Sequence, residues 1–325
     1  MSGIAKEGTL RSVADFMRSY LLVVLIAALV IGTAIFEPRF LSGMNLINLM
    51  RQFGPLIMVA LGMTFVIMGG FIDLSVAGII NLVAVVTISL IQIVGQVPAL
   101  ILGLAIGAAC GALNSAVILS SGALTQAEAL FMTFGMSTVY SALALLYSHG
   151  STMHFWDINK SKSLFQAIGA GKVGPVSISF LIFLALLALL WLFQTKTTEG
   201  RAIRLTGGNK IAAELVGIRI RRSIVVIYTL CGLMAGVGAI VLFSRITTAA
   251  PVIGAGFETN AILAVVVGGT TLKGGNGSVL RTVMGVLLII LMSNCLNLLG
   301  VSPYLQVVAK GAILVFAIWL DNRKQ

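Results

Sequence analysis

Charge is scarce in this chain: of 325 residues only 10% are Asp, Glu, Lys or Arg, and the acidic ones number 10. A soluble domain carries about 25% charged residues, so a chain that is 58% hydrophobic with a mean hydropathy of +1.08 cannot clothe a water-facing surface. Cysteine is as rare. Cys110, Cys231 and Cys295 lie inside apolar runs at spacings that suit neither a disulfide framework nor a metal site, and read as inert thiols. The two histidines, His149 and His154, have no further ligand at metal-binding spacing and read as solvated loop residues. There is no Ser/His/Asp set and no pair of carboxylates of the kind a membrane enzyme would gather at one interface. No G-x-x-x-x-G-K-[ST] phosphate loop occurs, so this chain carries no ATPase motif. The string GAGKVG at Gly169 to Gly174 matches GxGxxG, but it runs into Pro175 and an apolar segment with no strand-turn-helix unit around it, so it is not a dinucleotide site.

What the chain does have is length of apolar run. A bilayer asks for about 20 apolar residues per helix, and Leu74 to Ala127 is free of charge over 54 residues, with breaks at Gly95-Gln96-Val97-Pro98 and Ser120-Ser121-Gly122. Membrane β-strands alternate in polarity and are half as long. The fold class is therefore an all-α polytopic membrane protein. About ten transmembrane segments are expected, at 19–36, 54–70, 76–94, 98–120, 129–148, 175–195, 223–244, 259–272, 280–299 and 304–320. At fourteen residues, 259–272 is short for a crossing and is expected to be a half-helix buried in protein. The first run follows Lys6, Arg11 and Arg18 as a signal peptide would, but no small-x-small cleavage site follows it, and it is read as a retained span.

An even count puts both termini on one side. With the termini inside, the inner segments hold fourteen Lys and Arg against six outside (Arg39, Arg51, Lys160, Lys162, Lys172 and Arg245), so the positive-inside rule makes both termini cytoplasmic. The organisation expected is a cytoplasmic segment 1–18, a single transmembrane domain 19–320 containing a cytoplasmic loop 196–222, and a cytoplasmic tail 321–325. A net charge of +11 raises the question of nucleic acid, but no basic groove with interleaved aromatics lies outside the apolar runs. These charges orient the chain and meet anionic lipid headgroups.

The longest inner loop contains GRAIRLTGGNKIAAELVGIRIRR, Gly200 to Arg222, with seven charges in 23 residues. Asn209 can cap the turn that follows, Lys210 to Val216 is helix-forming around the small pair Ala212-Ala213, and Gly217 supplies a stop. About two turns of helix, roughly 10 Å long, would lie at the membrane surface. There the two alanines would allow a partner's backbone to come close, while Lys210 would sit on a solvated edge.

With these residues the chain resembles the permease subunits of ABC importers of the ribose and related-sugar class. The resemblance is carried by Gly200-Arg201, Gly207-Gly208-Asn209, Ala212-Ala213 and Gly217-Ile218 in the loop, by GGFIDLSVAG at Gly69 to Gly78, by ETNAILAVVVGGTTLKGGNGS at Glu258 to Ser278, and by NLLGVSPYLQVVAKG near the end. It extends from about residue 20 to the C-terminus. The chain departs from that pattern at Phe71, usually glycine or isoleucine; at Asn260, usually aspartate; at Tyr140, commonly arginine; and at TQAEALFMTFG, where a Pro-Phe-Ile-Ala-Thr-Leu-Gly type of sequence is usual.

The resemblance implies an importer of a sugar or sugar-like small polar molecule, working by alternating access in the bacterial cytoplasmic (inner) membrane. Two permease chains, identical or related, would form the path. Cytoplasmic ATP-binding-cassette ATPases, which would hold ATP and Mg, would seat on the inner loops through Gly200, Arg201, Gly207, Gly208, Asn209, Lys210, Ala212, Ala213 and Gly217. No cofactor is expected on this chain. A soluble binding protein outside would dock on the outer segments Glu37 to Phe53, His149 to Gly174 and Arg245 to Glu258, with Arg51 and Arg245 as anchors; MNLINLMRQF in the first of these reads as a helix lying in the interface.

Polar residues inside the spans are the remaining candidates. A mid-membrane charge costs about 2.5 to 3.5 kcal/mol on insertion scales, which places Asp73 in a tight inner turn, Glu128 at an inner helix start, and Lys310 either snorkelling or paired with a carbonyl. Asp73, Ser75, Asn81, Asn114, Asn294 and Asn297 are candidates for the path, the asparagines as neutral donors and acceptors suited to a sugar; helix-helix adhesion is the other use for such residues. The rival function is an ion-gradient-driven secondary transporter, which would need intramembrane carboxylates, and only Asp73 and Glu128 are available for that.

Overall fold

The computed structural model describes residues 21–155 and 164–323. The expected segment 1–18, Lys160, Lys162 and the last two residues of the tail lie outside the described residues. Thirteen α-helices follow in order among those described: α1 (Leu21–Phe36), α2 (Gly43–Met68), α3 (Val76–Val94), α4 (Gln96–Ser121), α5 (Gln126–Ser148), α6 (Leu164–Ala170), α7 (Ile178–Lys196), α8 (Thr198–Gly208), α9 (Lys210–Leu215), α10 (Ile220–Ile246), α11 (Phe257–Val267), α12 (Val279–Leu298) and α13 (Pro303–Arg323). A 3-10 helix (Pro38–Leu41) and four two-residue strands complete the set: β1 (Met153–His154) pairs antiparallel with β4 (Thr248–Ala249), and β2 (Lys172–Val173) with β3 (Val176–Ser177).

Each of the ten apolar segments read from the sequence coincides with a helix. Seven of these, α2, α3, α4, α5, α7, α10 and α12, are long and apolar enough to cross a membrane. Uncharged runs leave the backbone no better partner than itself, and side-chain oxygens fix the starts: Ser42 caps α2, Thr125 and Glu128 form a capping box on α5, and Ser177 caps α7. Glu128 thus stands at a helix start, as expected. Lys310 lies half-buried on α13.

The core is built around α2, every residue of which from Phe53 to Met68 is buried. α4 and α10 pack through glycines. Gly107 and Gly111 of α4 face the stretch Tyr228 to Gly236 of α10, and a β-carbon at Gly107 would lie 2.6 Å from the Gly232 carbonyl oxygen; Gly103, one turn earlier, faces Thr87 of α3. Without a hydrophobic drive between helices in lipid, close backbone approach of this kind supplies the packing.

Connections gather into two sets. In one, the chain after α2 (Gly70), the end of α8 (Gly207) and the loop between α11 and α12 (Gly274, Gly275) touch through their backbones. In the other, β1, α6, β4 and the last turn of α10 lie together: Phe165 NH donates to Gln96 Oε1, and Phe155 NH to the Thr247 carbonyl. The sequence reading puts the first set inside and the second outside.

Two expectations are corrected. MNLINLMRQF is not a separate interfacial helix but the first turns of α2, continuous with the buried half through Pro55, because Ser42 starts the helix there. Nor is Arg245 to Glu258 an exposed outer loop throughout. After β4 the chain turns back into the protein, where Gly254 NH donates to Asn81 Oδ1 of α3 at 2.7 Å. Asn81 in turn donates to Ser141 of α5, about 22 Å along that helix from its inner end at 1.5 Å per residue. From there α11 returns to the inner side, 11 residues long, or about 16 Å against a hydrocarbon core of about 30 Å. At that length it is one of the shorter apolar helices, not among the seven long enough to cross.

Candidate coupling surface and polar interior

The loop between α7 and α10 folds as two short helices. α8 begins at Thr197, whose hydroxyl accepts from Gly200 NH at 3.0 Å, and Gly200 is buried hard against the last turn of α7, where a β-carbon would lie 2.6 Å from the Gln194 carbonyl oxygen. Arg201 and Arg204 are exposed, and Arg222 closes the loop base by pairing with Glu199 at 2.7 Å. Asn209 caps α9 as expected, its Oδ1 accepting from Ala212 NH at 3.0 Å. Gly217, at φ +83°, ends the turn, with Ile218 NH returning to the Ala213 carbonyl.

The two alanines part company. Ala212 is exposed, whereas Ala213 is 2% exposed and packs into this chain. The face that projects outward is made instead by Ile211, Leu215 and Val216, 74%, 83% and 72% exposed; Leu205 on α8 is exposed as well. Large apolar side chains outside the membrane spans mark an interaction surface. The sequence signal for it was present in KIAAELV: Ile211 and Leu215 are four apart and share a helix face.

Lys210 is not on a solvated edge. Its ammonium lies 4.1 Å from the centroid of the Phe71 ring and donates to the Leu124 carbonyl, so α9 is tied to both the α2–α3 and the α4–α5 connections. Burial pulls its pKa down, and the charge of Glu128 opposes that shift. The reason is Phe71, fully buried against Tyr228 with its face turned to the ammonium. Beneath α9 the inner connections lock together: Gly275 NH donates to the Met68 carbonyl at 2.8 Å, Gln194 Nε2 to the Gly277 carbonyl at 2.8 Å, and Gln126 Nε2 to the Leu272 carbonyl at 2.8 Å.

Asp73 lies in the turn between α2 and α3, as expected, and is fully buried in the protein. Leu74 NH donates to Thr133 Oγ1 of α5 at 3.0 Å, about 10 Å along that helix. Asp73 Oδ1 accepts from Ser75 NH at 2.9 Å and Ser75 Oγ at 2.6 Å; Asn114 Nδ2 donates to Ser75 Oγ at 2.6 Å, and Tyr140 OH to Asn114 Oδ1 at 2.9 Å. Asp73, Ser75 and Asn114 are thus one chain of hydrogen bonds linking the α2–α3 connection with α4 and α5; it engages Asp73 Oδ1, while Oδ2 is buried without a hydrogen-bond partner. Tyr140, one of the departures, terminates it. Asn81 bridges α5 and the Gly254 turn. Asn294 and Asn45 exchange amides, at 3.0 and 2.9 Å, and Asn297 Oδ1 accepts from Gln306 at 2.7 Å. All six candidates therefore join elements of this chain.

On the outer side Arg51 donates to the Ala170 carbonyl while its Nε is buried without a partner. Arg245 is close enough for the Arg51 charge to act on it, and among the described residues neither is in a salt bridge.

The family described as "Branched-chain amino acid transport system / permease component" matches residues 45–318. A ribose import permease protein of Bacillus subtilis (strain 168) is 36% identical over 319 residues, covering 98% of this chain and 95% of the relative. The ribose import permease protein of Escherichia coli (strain K12) is 35% identical over 310 residues, 94% and 93% of the two chains. The L-arabinose transport system permease protein of the same strain is 34% identical over 314 residues, 94% and 91%. No solved structure matches.

Proposed function

We infer the function from one premise: the chain belongs to the family of branched-chain amino acid transport system permease components. Its relatives across nearly its whole length serve ribose and L-arabinose, so it is the membrane subunit of an ABC importer of a sugar or sugar-like polar solute. That family likeness does not favour an ion-gradient carrier. The structural observation that carries the reading furthest is α9, a short capped helix that presents Ile211, Leu215 and Val216 outward on the side where the inner connections meet.

On this reading both termini are cytoplasmic and ten segments enter the bacterial inner membrane, α11 only halfway. A partner ATPase, holding ATP and Mg, takes α9 in an apolar groove. Its movement reaches the membrane helices through Lys210 on Phe71 and through the glycine contacts beneath. Two such chains enclose the path. Arg51 and Arg245, two neighbouring guanidiniums with no carboxylate partner among the described residues, suit an acidic surface of the binding protein. Co-purification from native membrane tests this: the ATPase is expected with the permease and is expected to dissociate on Leu215→Asp. Recovery of the wild-type permease without any ATPase would refute it.

A further inference from the structure

Two ionisable side chains of opposite sign stand in the apolar zone without a use in the contacts described so far. Glu258, in the first turn of α11, is half-buried, and its Oε2 is buried without a hydrogen-bond partner. Lys310, half-buried on α13, has neither a carboxylate nor a carbonyl to meet among the described residues.

The two stand at the same depth. Glu258 is about 14 Å from the inner end of α11 at Val267, and Lys310 is about 15 Å from Leu320, the last apolar residue of α13, at 1.5 Å per residue. Both therefore lie near the middle of a hydrocarbon core about 30 Å thick, where charged side chains pair or face a polar interior. α11 and α13 pack on one another, yet these two charges form no salt bridge within the chain. Lys310 also borders an uncovered face. Val308, Gly311, Ala312 and Val315 recur at helical spacing and are exposed, and no atom lies within 4 Å of a β-carbon built on Gly311. Small side chains at that point let another backbone come near.

We propose that this face of α13 seats a second copy of the chain, and that Lys310 of each copy pairs with Glu258 of the partner subunit. A two-fold axis along the membrane normal carries every residue to its own depth, so a contact across it joins residues of like depth, as these are. An isologous contact is made twice, so one complementary pair neutralises all four charges. The inference rests on the reading of the chain as one of two permeases around a path, and names what holds the two together.

Complementation between copies tests it. Lys310→Glu alone sets Glu against Glu at both contacts, and Glu258→Lys alone sets Lys against Lys, so each variant is expected to co-purify with a differently tagged copy of itself several-fold less than the wild type does. Expressed together, the two variants put opposite charges at both contacts and are expected to co-purify at the wild-type level. Recovery only when both substitutions share one chain would overturn the proposal in favour of a pair within the chain. Self-association of both single variants at the wild-type level would overturn it in favour of a lysine lying against lipid. Should neither variant accumulate by itself, Glu258→Cys in one tagged copy and Lys310→Cys in the other replace them, treated with a lipophilic bis-maleimide, with the buried Cys110, Cys231 and Cys295 as background. A cross-link joining the two tags is then expected, and its absence would overturn the proposal. Sugar uptake by the wild-type transporter is measured alongside: its loss would count against the importer reading, whereas failed complementation with uptake intact would count against this contact alone.

Discussion

Gly207 and Gly208 stand side by side at the end of α8, and the structure assigns them opposite tolerances. A β-carbon added at Gly207 would collide with the Met68 carbonyl oxygen and lie 2.7 Å from the Gly275 nitrogen. Those two atoms are themselves joined by the 2.8 Å hydrogen bond that ties α2 to the loop before α12. All the obstructing atoms are backbone, so no rotamer change relieves them. Gly207→Ala must push α8 away or break that bond, at about 1 to 3 kcal/mol for overpacking and about 0.5 to 1.5 kcal/mol for the lost hydrogen bond. At Gly208 the same carbon would lie 3.8 Å from Gly275 Cα, ordinary contact, and neither glycine has a positive φ. Gly208→Ala is therefore expected to be neutral or slightly stabilising, since alanine is the better helix former. Thermal unfolding of the detergent-solubilised complex, with uptake measured alongside, reads both: a clear fall in midpoint and transport for Gly207→Ala and none for Gly208→Ala. Equal behaviour of the two variants would refute the claim that the inner connections are locked at this contact.

Lys210→Ala should reduce uptake more than it reduces ATPase pull-down, because it cuts the tie to Phe71 and Leu124, a cation–π contact worth about 0.5 to 2 kcal/mol; uptake assays on vesicles of matched permease content decide it. Ala212→Trp should leave the permease stable and weaken ATPase pull-down, whereas Ala213→Trp, at a position 2% exposed, should lower the melting point of the permease itself. Asn294→Leu should lower thermal stability before it affects uptake, since it leaves Asn45 Oδ1 without its donor, at about 1 to 3 kcal/mol, while Asn45 Nδ2 keeps the Phe40 carbonyl. Charge reversal at Arg51 and Arg245 together should weaken stimulation of ATP hydrolysis by the binding protein; unchanged stimulation with normal assembly would remove the docking role.

The sequence disclosed those features that depend on composition and local chemistry. Ten apolar runs became helices because an uncharged run in lipid has no other way to satisfy its backbone, and the Asn209 cap and the Gly217 stop of α9 are decided within a few residues. What stayed hidden was direction and depth. Ala212 and Ala213 are equivalent as letters, yet a step of 100° around a helix puts one outside and one in the core. Lys210 read as solvated because its partner, Phe71, is far away in sequence, and Phe71 itself was visible only as a departure from a family pattern. The outer loop after Arg245 read as exposed because neither Asn81 nor Gly254 signals alone that the chain turns back to join them. The same limit applies to the asparagines, for which path lining and helix adhesion use one residue type and differ only in which partner the amide meets.

The central claim is that this chain moves a sugar-like solute through the work of an ATPase on another chain. Reconstituted vesicles holding the permease and its co-purified ATPase, supplied with the binding protein and a labelled pentose or hexose, measure it directly. Uptake is expected to require hydrolysable ATP on the side bearing α9 and to persist when a proton uncoupler collapses the ion gradient. Uptake that continues without ATP, and that the uncoupler abolishes while ATP is held constant, would contradict the account.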